Sequence, residues 1–123
     1  MALVLATFNV LDLFDASDPA RIDRITSLLR AHAPDVVALQ EVGGEAATNA
    51  IATALGGAFT QILGDADERG IRNALLSRLP IVSSNVLRAA HLPFPRFRRE
   101  DPEPFGARIP LRRAIPEVVV ATD

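Results

Sequence analysis

The sequence predicts a mixed α/β protein with helices covering a sheet. Two observations carry that expectation. Over the first half of the chain, apolar runs of strand length alternate with segments of helical period. After residue 57 come several short strand-like runs with no convincing helix between them. At 123 residues, 49% of them hydrophobic, the chain has the size and apolar content for one core, and is expected to be one domain or part of one.

Residues 3–8 (LVLATF) form the first strand-length apolar run, closed by Asn9. The period then changes: SDPARIDRITSLLRAH (17–32) offers Ser17 or Asp18 as N-cap, Pro19 in the first turn, and Ile22, Ile25, Leu28 and Leu29 on one face. Pro34 marks the exit, because the residue before a proline is pushed out of helical geometry. DVVALQ (35–40) reads as the second strand. Gly43 and Gly44 open a second helix with apolar positions Ala47, Ile51, Ala54 and Leu55, and Gly56 and Gly57 close it. The result is β-α-β-α.

The strand-like runs AFTQIL (58–63), NALLS (73–77), PIVSSNVLRAA (80–90) and EVVVATD (117–123) follow. The acidic loop GDADERG (64–70) between the first two reads as a solvated turn. Residues 93–110 hold Pro93, Pro95, Pro102, Pro104 and Pro110 with Arg96, Arg98 and Arg99 among them, and read as a long irregular connection. There is no internal repeat and no low-complexity tract.

Charge and composition exclude several classes of function. Thirteen basic residues stand against 15 acidic ones, for a net charge of -2, so a general polyanion-binding surface is not expected and any phosphate contact should be local. All 13 basic residues are arginine. There is no cysteine, which removes disulfide frameworks, thiolate zinc sites and thiol nucleophiles. MALVLATFNV lacks a basic leader region, and no run approaches the roughly 20 apolar residues of a membrane helix. The expectation is a soluble protein, cytoplasmic by default.

Asn9 and Glu41 each close an apolar strand of a β-α-β unit, so side-by-side strands bring them together at one edge of the sheet. Open α/β sheets place ligands at the carboxyl ends of their strands. A carboxylate beside an amide oxygen is a seat for Mg²⁺ or Mn²⁺, hard cations that prefer oxygen ligands. The same residues also suit a plainer reading, in which Glu41 favours the next helix N-terminus through its dipole and Asn9 makes an Asx-turn. Spacing leaves both open. Asp12, just past the first strand, could reach a metal or belong to the turn before the helix. Asp65, Asp67 and Glu68 fail the EF-hand calcium pattern in spacing and lack its downstream glutamate. His32 and His91 have no Ser or Asp context that suggests a base. Arginines 96, 98, 99, 112 and 113 form the only local positive density, but interleaved Glu100, Asp101 and Glu103 favour a balanced, solvated loop.

Four segments carry a family resemblance: ATFNV (6–10), PDVVALQEV (34–42), RGIRNALLSRLPI (69–81) and ARIPL (107–111). In order and spacing they resemble the endonuclease/exonuclease/phosphatase superfamily, which includes DNase I-like nucleases, abasic-site endonucleases, inositol-polyphosphate phosphatases and bacterial sphingomyelinases. The resemblance spans essentially the whole chain. It implies a partial DNase I-like four-layer α/β sandwich, with mixed β-sheets flanked by helices. It identifies Glu41 with the family's magnesium-binding glutamate and Asn9 with the asparagine that arranges metal and scissile phosphate. It places Arg108, in an R-x-P pattern, on the substrate phosphate, a task suited to a guanidinium fork. Asn73, Ser77 and Arg78 fall in its central strand motif and read as structural.

The implied activity is metal-dependent hydrolysis of phosphodiesters or phosphomonoesters, with Mg²⁺ or Mn²⁺ as cofactor and nucleic acid among the substrates. The TFNVLDLF opening leans towards bacterial nuclease-like members. Family members continue with His-x-x-Ser-like, GDFN-type and SDH-type elements, the last supplying the His-Asp pair that activates water. None occurs in this chain. The expectation is therefore that residues 1–123 are the N-terminal portion of such a domain, inactive as they stand, with the other half of the domain as partner. The alternative is a non-catalytic binding module that keeps the half-fold. An unrelated nucleotide-binding domain is a weaker third, since no Gly-rich phosphate loop follows the first strand.

Overall fold

The computed structural model describes residues 2–88, 91–93, 108–110 and 112–122. In chain order the elements are β1 (Leu5–Leu13), α1 (Pro19–Arg30), β2 (Val36–Val42), α2 (Glu45–Ala54), β3 (Thr60–Leu63) and β4 (Arg72–Ser77). They continue with β5 (Ile81–Leu87), β6 (His91–Pro93), β7 (Arg108–Pro110) and β8 (Ile115–Val120). A four-stranded mixed sheet runs in the order β1-β2-β4-β3. Its β1 and β2 are parallel, joined through α1 as a β-α-β crossover, while β4 is antiparallel to both β2 and β3. Two further ladders, β5-β8 and β6-β7, are antiparallel pairs.

Asp18 caps α1 by accepting the Arg21 amide at 2.9 Å, and Pro19 follows in the first turn. The buried face of α1 is Ile22, Ile25, Thr26 and Leu29. Leu28, expected on that face, is 52% exposed. Thr26 takes the inward position because its hydroxyl donates to the Ile22 carbonyl at 2.9 Å and so enters the core already satisfied. In α2, Ala47, Thr48 and Ile51 are buried and Gly44 provides the N-cap position. The helices cover one face of the sheet, where Val37, Leu39, Ala74 and Leu76 meet Ile51 and the α1 face. Fully burying a side chain such as Leu39 or Leu76 contributes roughly 1.5–3 kcal/mol.

The termini of several strands differ from the expected ones, and two differences are larger. β1 and β2 do not stop at Asn9 and Glu41 but run on to Leu13 and Val42. The stretch 93–110 is bounded by paired strands, with Pro93 opposite Arg108 and His91 opposite Pro110. Most of its proline and arginine positions, Arg96, Arg98 and Arg99 included, lie outside the described residues. Among the described residues no helix is long and apolar enough to cross a membrane.

Asp35 fastens the sheet at the end away from Glu41. Its carboxylate, 6% exposed, accepts the Val4 amide at 2.7 Å and the Arg78 guanidinium at 2.9 Å. These bonds link the entry to β1, the entry to β2 and the exit of β4. The Val4 amide first, then Arg78, hold the Asp35 carboxyl below the ordinary aspartate range, against the opposing effect of burial. Arg78 is therefore structural, as is Ser77, whose buried hydroxyl donates to the Leu79 carbonyl at 2.9 Å.

Candidate functional site

Asn9 sits opposite Gln40, the neighbour of Glu41, in the parallel β1-β2 ladder, so adjacent strands bring Asn9 and Glu41 into the same stretch of the sheet. Regular pairing ends there and resumes at Leu13 opposite Val42. Between those points β1 spends Val10, Leu11 and Asp12 where β2 spends Glu41 alone. On its other side, β2 spends Gln40 and Glu41 where β4 spends Asn73. Leu11, Asp12 and Glu41 take up the mismatch with positive φ of 49°, 53° and 63°. Such values are uncommon for residues other than glycine.

The bulge explains how a carboxylate occupies this position. In an unbroken strand, side chains alternate, and Glu41 would fall on the same face as the core residue Leu39. Instead both Leu39 and Val42 belong to the core, three residues apart, and so do Val10 and Leu13 on β1. The left-handed residue at 41 resets the alternation, sending Val42 inward and leaving the Glu41 side chain 24% exposed.

Several contacts secure the irregular segment. The Arg21 guanidinium donates to the carbonyls of Val10 and Leu11. The Asn9 side-chain oxygen accepts the Leu11 amide at 2.8 Å, the Asx-turn that was one of its two readings. That oxygen keeps a second lone pair. The Gly43 amide donates to the Leu13 carbonyl at 2.8 Å, and a Cβ at Gly43 would overlap the Phe14 backbone.

Around Glu41 charges alternate in sign. Arg113 Nη1 lies 3.9 Å from Glu41 Oε1, and Arg113 Nε donates to Asp67 Oδ2 at 2.8 Å. Arg69 pairs with Asp12 at 2.6 Å. The Asp67 side chain is 5% exposed and its other oxygen accepts the amides of Arg69 and Ile71 at 2.9 and 3.0 Å. The Arg113 guanidinium first, with those amides, holds the Asp67 carboxyl below its ordinary range against the effect of burial. The loop 64–70 is exposed at Asp65 and from Glu68 to Gly70, as a solvated turn should be, but Asp67 turns inward and anchors it. Arg113 likewise is not a solvated loop charge, being 26% exposed and bound on both sides by carboxylates. Arg112 does fit the solvated reading, 72% exposed and only 3.9 Å from an equally exposed Glu68.

Asp67, Glu68, Arg69, Asn73, Arg112, Arg113 and Ile115 line an open cavity of about 440 Å³, which Arg113 links to Glu41. Asn73 anchors the strip that carries Arg113 by donating to the Ala114 carbonyl at 3.1 Å. Gly64 makes that approach possible, since a Cβ there would stand 2.8 Å from the same oxygen. Arg108 lies in β7, with its side chain outside the described residues. His91 lies in β6, its side chain also outside them. His32 is exposed just past α1, at the opposite end of β2 from Glu41.

The chemistry of the site fits a hard divalent cation. Its donors are oxygens, the Glu41 carboxylate has its nearest guanidinium at 3.9 Å, beyond a close hydrogen bond, and Asp12 Oδ1 is buried with no hydrogen-bond partner among the described residues. No group of three or more His, Asp or Glu suited to a metal forms among the described residues. Mg²⁺ ordinarily takes one or two carboxylates and keeps several waters, so a small protein donor set is compatible with it.

A family model described as the endonuclease/exonuclease/phosphatase family matches residues 6–119. No curated protein matches the chain. Among solved structures, an endonuclease/exonuclease/phosphatase from Beutenbergia cavernae is similar at 25% identity and a TM-score of 0.51, covering 96% of this chain and 34% of its own. Another from Bacteroides vulgatus is 20% identical with a TM-score of 0.49, covering 69% of this chain and 36% of its own. The chain thus spans about a third of the length of these solved structures. Its architecture is the expected one, part of a DNase I-like α/β sandwich. With nearly its whole length matched by one family model, the chain belongs to the endonuclease/exonuclease/phosphatase family.

Proposed function

We propose that the chain carries the cation-binding side of a metal-dependent phosphoester hydrolase, nuclease-like in substrate class, with Mg²⁺ or Mn²⁺ as cofactor. The observation that supports this most is the left-handed bulge that lifts the Glu41 carboxylate out of the core at the carboxyl end of β2. Non-glycine residues held in such conformations cost energy and cluster at functional sites.

Glu41 would hold the cation, aided by the free lone pair of the Asn9 amide oxygen. A bound divalent cation supplies Lewis-acid polarisation of a phosphoryl oxygen. Arg113, with Nε committed to Asp67, offers its terminal N–H groups to a phosphate in the adjoining cavity. Arg113 would thus join Arg108, which the resemblance assigns to the substrate phosphate. In hydrolysis, a water oxygen replaces the ester oxygen on phosphorus, and the departing oxygen takes up a proton. His32 stands at the opposite end of β2 from Glu41, and the resemblance places the group that takes the proton from water in the family's His-Asp element, outside the matching segments. On this reading residues 1–123 are the N-terminal portion of the domain and do not turn over substrate alone.

The test is Glu41→Gln in a chain extended to the full fold, assayed on a model phosphodiester and on DNA with and without Mg²⁺. Turnover should fall about 100-fold, the scale of a damaged metal site. Metal-dependent turnover that survives unchanged would remove Glu41 from this role.

A further inference from the structure

We propose that Asp67 is a positioning residue that tethers the Arg113 guanidinium beside Glu41 and keeps it from closing onto that carboxylate, so that Glu41 stays open to a divalent cation. This rests on the reading of Glu41 as a cation ligand.

The geometry is unequal in an informative way. Arg113 stands between two carboxylates yet gives Asp67 a 2.8 Å hydrogen bond and approaches Glu41 only to 3.9 Å. Arginine and carboxylate ordinarily close to about 2.7–2.9 Å and often pair through two parallel bonds. Closure on Glu41 would commit its oxygens to N–H donors and set a full positive charge where a cation must sit.

Asp67 can resist that closure because it is itself fixed. Its second oxygen receives the Arg69 and Ile71 amides, and its own amide donates to the Ile71 carbonyl at 2.8 Å. The neighbour of Arg113 is fixed too, with the Ala114 carbonyl held by Asn73 and packed against Gly64. Arg69, a second guanidinium of the neighbourhood, is restrained by a different carboxylate, Asp12. Arg113 and Arg69 thus each give their close hydrogen bond to an acid other than Glu41, which keeps positive charge available to an anion without blocking the carboxylate.

The probe is Mn²⁺ alone, its binding to the folded 123-residue chain followed by calorimetry and by the loss of its free-ion paramagnetic resonance signal. Asp67→Asn keeps an acceptor for the two amides but surrenders the charge that restrains Arg113. It should weaken Mn²⁺ binding about tenfold, the scale of one partly buried charge pair. Arg113→Gln should bind Mn²⁺ at least as tightly as the unaltered chain, and the double variant should match Arg113→Gln. Unaltered affinity in Asp67→Asn, or a double variant that keeps its loss, would overturn the tether. Asp67→Ser serves as a second variant. Unfolding of both by circular dichroism would assign Asp67 to loop integrity alone and overturn the proposal as well. Mn²⁺ binding that is absent, or indifferent to Glu41→Gln, would instead sink the metal reading beneath it.

Discussion

The left-handed backbone at Glu41 makes a prediction whose sign can be measured. Consider Glu41→Ala and Glu41→Gly. Both remove the carboxylate and its 3.9 Å approach to Arg113, an interaction between partly exposed groups worth about 0–1 kcal/mol. That loss cancels in the comparison, and only the backbone differs. At φ 63°, alanine keeps the clash of Cβ with the following carbonyl, which costs roughly 1–2 kcal/mol, and glycine has none. Glycine in turn loses about 0.5–1 kcal/mol through the greater freedom of its unfolded chain. The balance leaves Glu41→Gly more stable than Glu41→Ala by about 0.5–1 kcal/mol. In a domain of this size that is a few degrees in Tm, of order 2–6 °C. Urea unfolding followed by far-ultraviolet circular dichroism reads the difference directly. Were residue 41 an ordinary extended strand position, the sign would reverse, with glycine the less stable by about 0.5–1 kcal/mol. A glycine variant equal to or weaker than alanine therefore refutes the bulge and, with it, the account of how Glu41 leaves the core.

Gly43→Ala should unfold the chain or cost at least about 2 kcal/mol, because its Cβ would overlap the Phe14 backbone, which cannot move as a side chain can; a thermal melt unchanged from the unaltered chain would show that Phe14 does not approach so closely. Asp35 supplies a pH dependence. Its folded pKa lies below the unfolded one, so its contribution is complete above the ordinary aspartate range and is lost as pH falls through that range towards the folded value. Asp35→Asn should be less stable at neutral pH, with Arg78 left unpaired, and its urea midpoint should decline less in that acidic window; parallel pH profiles for the two proteins would contradict the assignment.

Much of the fold can be read from the residues. Pro19 after Asp18, the 3.6-residue spacing of Ile22, Ile25 and Leu29, and the glycine pairs around 45–54 set both helices because caps and periodicity are local. Short runs such as VVALQ and NALLS reveal strands for the same reason, and a helix between two strands implies the parallel pairing of β1 and β2. Where local signals were weaker the reading slipped. Leu28 is as apolar as Leu29 and only the helix orientation separates them, and Thr26 gives no sign in composition that it is buried.

The sequence by itself determined the order of the first elements, β-α-β-α, the mixed α/β class, and the placing of Asn9 and Glu41 on adjacent strands, because each depends on residue type and short spacing. Tertiary structure alone decided what those residues meet. No glycine signals the positive φ at Leu11, Asp12 and Glu41; they arise because β1 and β2 must each return an apolar residue, Leu13 and Val42, to a shared core after an odd spacing. Asp67 looked like one more acid in a polar loop, and its burial is set by Arg113, 46 positions further along the chain. Contacts over such separations rest on the meeting of distant strands, and no local pattern of charge records which acid a given arginine will reach.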